Sequence, residues 1–268
     1  CPVRNIKGTI IETANGVELP AKEIPANTID ELVVNENNKP KITQYSTSNN
    51  GSQEYAEGEK YWYSEGAINF NFTVSDELSG LNKYPVIFKI NNKKYEIKDN
   101  TGAVENNSFK WNVTDEQSNT VSGKIIKKTV TVTVNTSLFQ QGSNSIVINA
   151  RNNNGNYSED FVKTVYVDTI PPTVDSFYIT SAESTADKIF SFLTFGIYHN
   201  NAINITVKAS DGNDKSKSSG LNEITLYSNG KKLVSSKVNT QGEYTYTLHS
   251  EEQLSNITVS VTDKVSNT

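Results

Sequence analysis

Apolar and polar residues alternate along much of this chain with a period of two. In residues 67–74, Ile68, Phe70, Phe72 and Val74 fall on one face, and Asn69, Asn71 and Thr73 fall on the other. Successive strand side chains point to opposite faces, so the pattern predicts a half-buried β-strand. Residues 129–134 repeat it with Val130, Val132 and Val134 inward, and residues 145–150 and 257–261 follow the same rule. Turn residues separate the runs: Ser79-Gly80, Asn91-Asn92, Asn152 to Asn156, Asn229-Gly230 and Gln241-Gly242. Asn229-Gly230, between residues 224–227 and Leu233-Val234, is the strongest tight-hairpin signal, because both residue types accept positive φ. A helical period is missing apart from one turn predicted within residues 184–191, with Ser184 as its cap. The chain is predicted to be all-β.

The runs recur in order. Residues 67–76 (AINFNFTVSD) match residues 202–211 (AINITVKASD), which places Asp76 and Asp211 at the same point of each copy. Ser79-Gly80-Leu81-Asn82 then matches Ser219-Gly220-Leu221-Asn222, and Lys93-Lys94 matches Lys231-Lys232. Tyr63 aligns with Tyr198, and residues 150–156 parallel residues 261–267. The junctions repeat as well: residues 165–174, with Pro171-Pro172, are similar to residues 32–42, with Pro40. Proline fixes φ and cannot donate to a ladder, so strand pairing stops there. Boundaries are expected near residues 38 and 170. They give an N-terminal extension or tail of a preceding unit (1–38), one sandwich-sized unit (39–170) and a second (171–268), whose final strand is expected to be missing.

Composition narrows the reading. The chain has 268 residues, and hydrophobic types make up 35%, so burial has to be economical. No apolar run reaches the roughly 18 residues of a membrane helix. The net charge is -5 and no Lys/Arg cluster exists, which argues against a nucleic-acid partner. Cys1 is the single cysteine, so no internal disulfide can form, and two histidines leave little for imidazole chemistry. The lack of methionine predicts a processed or excised piece of a longer chain.

The motif in which an Asp after a strand is followed by Ser-Gly-Leu, then a late turn ending in Asn, then Val167-Asp168-Thr169-Ile170-Pro171-Pro172, resembles the bacterial immunoglobulin-like repeats of large Gram-positive surface proteins. The resemblance runs over residues 32–268. It implies tandem immunoglobulin-like Greek-key β-sandwiches, with insertions in the longer first unit at residues 43–59 and 98–122. It also implies an extracellular, cell-surface setting, and a non-catalytic stalk or adhesin that presents or contributes to binding of host or neighbouring polymers. The partners would be a glycan or a host surface protein, and the chain a monomeric fragment of a longer multidomain protein. Two alternatives stay open. One is a carbohydrate-binding module of a secreted glycan-degrading protein. The other is a pilus or virion-fibre subunit whose absent strand a partner supplies.

Candidate chemistry is sparse. His199 and His249 show no oriented partner, and no nucleophile motif accompanies them, so no catalytic set is expected. No cofactor is required by this reading. Calcium is the sharper expectation, because Ca²⁺ takes carboxylate and carbonyl oxygens from loops. Asp76, Asp168, Asp211 and Asp214 are the candidate metal ligands, with Glu77 and Asp263 in similar positions. The competing expectation is that Asp76 and Asp211 cap turns through their own side chains. For sugar stacking the candidates are Trp62, Trp111 and Tyr61, each weighed against a core position. An internal Lys–Asn cross-link is also conceivable for such sandwiches, but the abundance of both types nominates no pair.

Overall fold

The computed structural model describes residues 38–120, 123–181, 203–239, 241–248 and 256–268, together with four two-residue strands between Thr9 and Glu23. Those short strands pair as Thr9–Ile10 with Lys22–Glu23 and Thr13–Ala14 with Val17–Glu18. By internal packing the chain has two compact units. One takes in Cys1–Thr47, Phe70–Val132 and Val147–Val162, the other Ser48–Asn69, Thr133–Ile146 and Lys163–Thr268. The helical turn expected at residues 184–191, Tyr198, and both histidines lie outside the described residues.

The fold is all-β and built of facing sheets. A six-stranded sheet runs in the order Lys93–Ile97, Leu81–Ile90, Gly142–Asn152, Phe161–Val167, Lys60–Tyr63, Glu54–Glu57. A five-stranded sheet runs Gly102–Val104, Phe109–Ser118, Ile125–Asn135, Ala67–Ser75, Lys41–Asn50. The chain therefore crosses repeatedly between the two sheets, the Greek-key habit of a sandwich. Most pairs are antiparallel, but Phe161–Val167 and Lys60–Tyr63 run parallel, with Tyr166 opposite Trp62 and Val167 opposite Tyr63. The same hopping recurs in two three-stranded sheets, ordered Thr173–Ser181, Ile203–Ser210, Glu243–Leu248 and Lys231–Lys237, Leu221–Ser228, Ile257–Asp263.

The alternation read from the sequence is the alternation of burial. Ile68, Phe70, Phe72 and Val74 are buried on one face of their strand, as are Val130, Val132 and Val134 on theirs, and Ile146, Ile148 and Ala150. Phe88 anchors an aromatic ladder: its ring lies 5.2 Å from Phe70 and 5.7 Å from Phe109, both edge-on, and Phe109 stacks on Tyr95 at 4.0 Å. In the three-stranded sheets the core is aliphatic. Ile205, Val207, Ala209 and Leu248 meet Ile224, Leu226 and Val261. The tight hairpins form where Asn residues take positive φ. Asn91 and Asn92 have φ of 45° and 72° between Ile90 and Lys93, and Asn229 and Gly230 have 49° and 78° between Ser228 and Lys231. Positive φ at both central residues is the twist that matches the strands.

The expected insertions turn out to be sheet. Residues 43–59 supply most of the strand Lys41–Asn50 and the strand Glu54–Glu57. Residues 98–122 supply Gly102–Val104 and Phe109–Ser118, which extend the five-stranded sheet. One polar residue shares an inward phase with the valines. Lys128 is fully buried, and its ammonium lies 2.8 and 2.9 Å from Asp99 Oδ1 and Oδ2 and 2.6 Å from Asp115 Oδ1. Burying a charge without partners would cost several kcal/mol, so the two carboxylates are what keep this lysine inside.

Candidate functional site

Two polar turns stand at equivalent ends of the repeated strands. In the first, Asp76 follows the strand Ala67–Ser75, and its N–H donates to Ile126 O at 2.8 Å. Its carboxylate is completely satisfied. Oδ1 accepts from Ser79 N (3.0 Å), Ser79 Oγ (3.1 Å) and Gly80 N (3.1 Å). Oδ2 accepts from the amide of Asn152 at 3.0 Å. The same Asn152 amide nitrogen donates to Asn38 O (3.3 Å), and Asn156 Nδ2 does so at 3.4 Å. Asn152 Oδ1 in turn accepts from Asn156 N at 2.8 Å. One side-chain amide thus ties the aspartate turn, the last turn and the residue near the proline junction into a single network.

The second turn keeps this frame. Lys264 N donates to Gly220 O at 2.9 Å, as Asn153 N donates to Gly80 O at 2.9 Å. Asn267 N donates to Asp263 Oδ1 at 2.9 Å, the bond that Asn156 N makes to Asn152. Asn267 Nδ2 donates to Asp168 O at 3.0 Å and to Asp263 Oδ2 at 2.6 Å. Asp263 therefore stands where Asn152 stands, Asp211 where Asp76 stands, and Asp168 where Asn38 stands. An amide that donates has been replaced by a carboxylate that only accepts.

The consequence is a buried acidic cluster. Asp168, Asp211 and Asp263 are all buried, and one carboxylate oxygen from each lies within 4.8 Å of the others. Each is placed by local structure. Asp168 continues the parallel ladder, its N–H donating to Tyr63 O at 2.9 Å. Its Oδ2 accepts from Ser219 N at 2.6 Å. Asp263 ends the strand Ile257–Asp263, and its Oδ1 also accepts from Val265 N at 2.9 Å, the side-chain-to-backbone turn that aspartate forms readily. Asp211 Oδ2 accepts from Gly220 N at 2.7 Å. Its Oδ1 has no hydrogen-bond partner, and neither has Ser219 Oγ, although both atoms are buried. In the first turn the corresponding hydroxyl, Ser79 Oγ, donates to the corresponding carboxylate.

Electrostatics register the crowding. Burial, and then the charge of Asp168, push the Asp211 carboxyl up to about 6, against the donation from Gly220. Burial also pushes Asp263 up to about 6, with Asn267 opposing and Asp168 reinforcing. Three neighbouring lysines pair elsewhere. Lys264 reaches Glu57 at 3.5 Å and lies over the Tyr55 ring, Lys217 pairs with Asp214, and Lys208 with Glu243. A cavity of about 410 Å³ opens beside the cluster, with Trp62, Asp211, Ser219, Gly220 and Lys264 in its lining.

Of the four carboxylates expected to bind metal, the structure brings Asp168 and Asp211 together, adds Asp263, and places Asp76 and Asp214 apart from them. Asp214 is exposed, and its Oδ1 caps Ser216 through N at 2.9 Å and Oγ at 2.6 Å. Asp76 is held by donors alone, the capping role weighed for it from the sequence. Among the stacking candidates, Tyr61 is 41% exposed, whereas Trp62 is 5% exposed with its ring 5.0 Å from Tyr166. Trp62 and Tyr63 are neighbours on the strand Lys60–Tyr63 and both are buried, so Trp62 takes the core position weighed against stacking. Trp111 is half-buried. Its indole nitrogen donates to Lys98 O at 3.0 Å, and its ring covers Gly102, where a Cβ would fall 2.2 Å from Cζ2.

No family model matches the chain, and no curated protein does. Among solved structures it is similar to the fibronectin(III)-like modules of Clostridium thermocellum CbhA, with a TM-score of 0.32 and 16% identity, covering 83% of this chain and 88% of that one. It is also similar to the D00-D0 domain of Intimin, with a TM-score of 0.29 and 13% identity, covering 78% and 98% of the two chains.

Proposed function

We propose that this chain is a non-catalytic module of an extracellular bacterial surface protein, a stalk or adhesin segment whose task is to hold and present other parts of a longer chain. One observation carries the reading. Each repeat ties its last turn to the carbonyl of a residue just before a proline junction: Asn156 and Asn152 to Asn38, and Asn267 to Asp168. Repeating a tether at the point where the chain enters a repeat is what a load-transmitting series requires. The junction residues themselves, Thr169 to Pro172, have few conformations to lose. Among the described residues no helix is long and apolar enough to cross a membrane.

The test is mechanical. The chain, pulled by its two ends in a force spectrometer, is expected to unfold in discrete steps. Asn267→Ala is expected to lower the force of one step and leave the other unchanged. Binding of the immobilised chain to a soluble glycan from a broad panel, lost on Trp111→Ala, would replace this reading with a carbohydrate-binding one.

A further inference from the structure

We propose that Asp168, Asp211 and Asp263 bind one divalent calcium-class cation, and that this ion does in the second turn what the amide of Asn152 does in the first. The inference goes beyond the mechanical reading and does not depend on it.

The argument starts from the substitution of donor by acceptor. In the first turn the Asn152 amide satisfies Asp76 Oδ2 and Asn38 O together. Asp263 has nothing to donate at that place, so the same frame arrives with three carboxylates and one bridging donor fewer. Like charges confined within 4.8 Å repel, and among the described residues no lysine or arginine pairs with any of the three. Two further atoms lack the bonds that their counterparts make. Asp211 Oδ1 is bare, on a residue only 7% exposed, and Ser219 Oγ is bare, on a residue only 5% exposed. Ser219 is set against the cluster by its own backbone, since its N–H donates to Asp168 and the next N–H donates to Asp211. A buried polar atom left without a partner costs about 1–3 kcal/mol, so Asp211 Oδ1 and Ser219 Oγ each call for a ligand.

The chemistry of the donor set names the class. All the ligand atoms are oxygens, three of them anionic, and no thiolate or imidazole is among them. That is the set of a hard cation, and calcium bonds of roughly 2.3–2.6 Å span a group of oxygens of this spread. Magnesium, with its demand for near-octahedral geometry, suits a closed cluster of protein oxygens less well. The cavity beside Asp211 and Ser219 supplies a route from solvent. The ion would join the strand end at Asp263, the aspartate turn at Asp211 and Asp168, which lies three residues before Pro171. In the first repeat the Asn152 amide completes the junction, and in the second the ion would do so beside the Asn267 tether.

The experiment is a calorimetric titration of the full 268-residue chain, stripped with chelator, using calcium chloride and then magnesium chloride, with melting curves in each condition. The expected result is one calcium site per chain and a higher Tm in calcium than in chelator. Asp263→Asn and Asp211→Asn are each expected to weaken binding by more than about tenfold, and Asp76→Asn to leave it unchanged. Asp263→Asn restores the amide of the first turn, so in chelator it is expected to melt no lower than the parent chain, which separates lost binding from lost folding. No heat and no change in Tm with millimolar calcium would overturn the proposal. So would parental affinity in either variant, or tighter binding of magnesium than of calcium.

Discussion

The turn at Asp76 and the turn at Asp211 share the backbone bonds that Gly80 O and Gly220 O accept, and they differ in how their carboxylates are met. One aspartate carboxylate receives four hydrogen bonds, three at Oδ1 and one at Oδ2. Three aspartates on the same frame leave a buried oxygen and a buried hydroxyl unpaired. The side chains differ at two places, Asn152 against Asp263 and Asn38 against Asp168, and the chain is longer between Asp211 and Ser219 than between Asp76 and Ser79, so that Ser219 N donates to Asp168 where Ser79 N donates to Asp76. It teaches that a repeated backbone can be held by a donor in one copy and demand an external charge in the next. The cores differ in parallel, aromatic around Phe88 and aliphatic around Leu226.

The largest blow to this contrast should come from the cores. Phe88→Ala removes the ring that joins Phe70 to Phe109, and it should cost about 3–5 kcal/mol in a urea titration. Calcium titration of that variant should be unchanged, and its loss would mean that the two turns are not independent. Next in size is Asn152→Asp, which strips Asp76 of its fourth donor and makes the first turn resemble the second. It should destabilise the chain by about 1–3 kcal/mol in chelator, read in the same titration.

A smaller effect is expected from pH. Without a cation, Asp211 and Asp263 hold their protons up to about 6 when folded, above the ordinary aspartate range near 3.8. A raised folded value means that acid favours the folded state. The stability these groups contribute is full below the ordinary value and is lost as pH rises through about 6. Amide exchange at Gly220 and Asn267, in chelator, should therefore slow as pH is lowered from 7 to 5, once corrected for intrinsic exchange. Gly80 and Asn156 should show no such slowing. Smallest of all is Asp214→Asn. That carboxylate is solvent-exposed and its neighbours Ser216 and Lys217 hold it below its ordinary value, so the melting temperature should not move.

Much of the fold could be read from period-two patterning, because a face that must be buried announces itself at every second residue. Residues 67–74 and 129–134 are strands with the expected faces inward. The two Asn-led hairpins were visible because positive φ selects a short list of residues. The pattern also aligned Asn152 with Asp263 through the parallel of residues 150–156 with 261–267. What it did not give was convergence. Asp168, Asp211 and Asp263 belong to three separate strand ends, and nothing local distinguishes Asp211, which joins the cluster, from Asp214, which Ser216 and Lys217 draw away. Lys128 was hidden for a similar reason, since its partners Asp99 and Asp115 sit on other segments. Alternation does not describe the end of the strand Lys60–Tyr63, only 4 residues long, where Trp62 and Tyr63 are both buried.

The parallel pairing of Trp62 with Tyr166 also bears on the order in which the chain gains structure. The hairpin through Asn91-Asn92 joins neighbours in sequence and closes a two-residue loop, a microsecond event. The strand Lys60–Tyr63 meets a partner roughly a hundred residues further along, the kind of distant contact that slows folding. On the ribosome, its parallel edge stays open until Val167 has emerged, and Asp168 is fixed in place only then. The hairpin amides should accordingly gain exchange protection early in refolding, and Tyr63 and Asp168 late. A nascent chain halted before residue 160 would expose the backbone of Trp62 and Tyr63 to any passing strand.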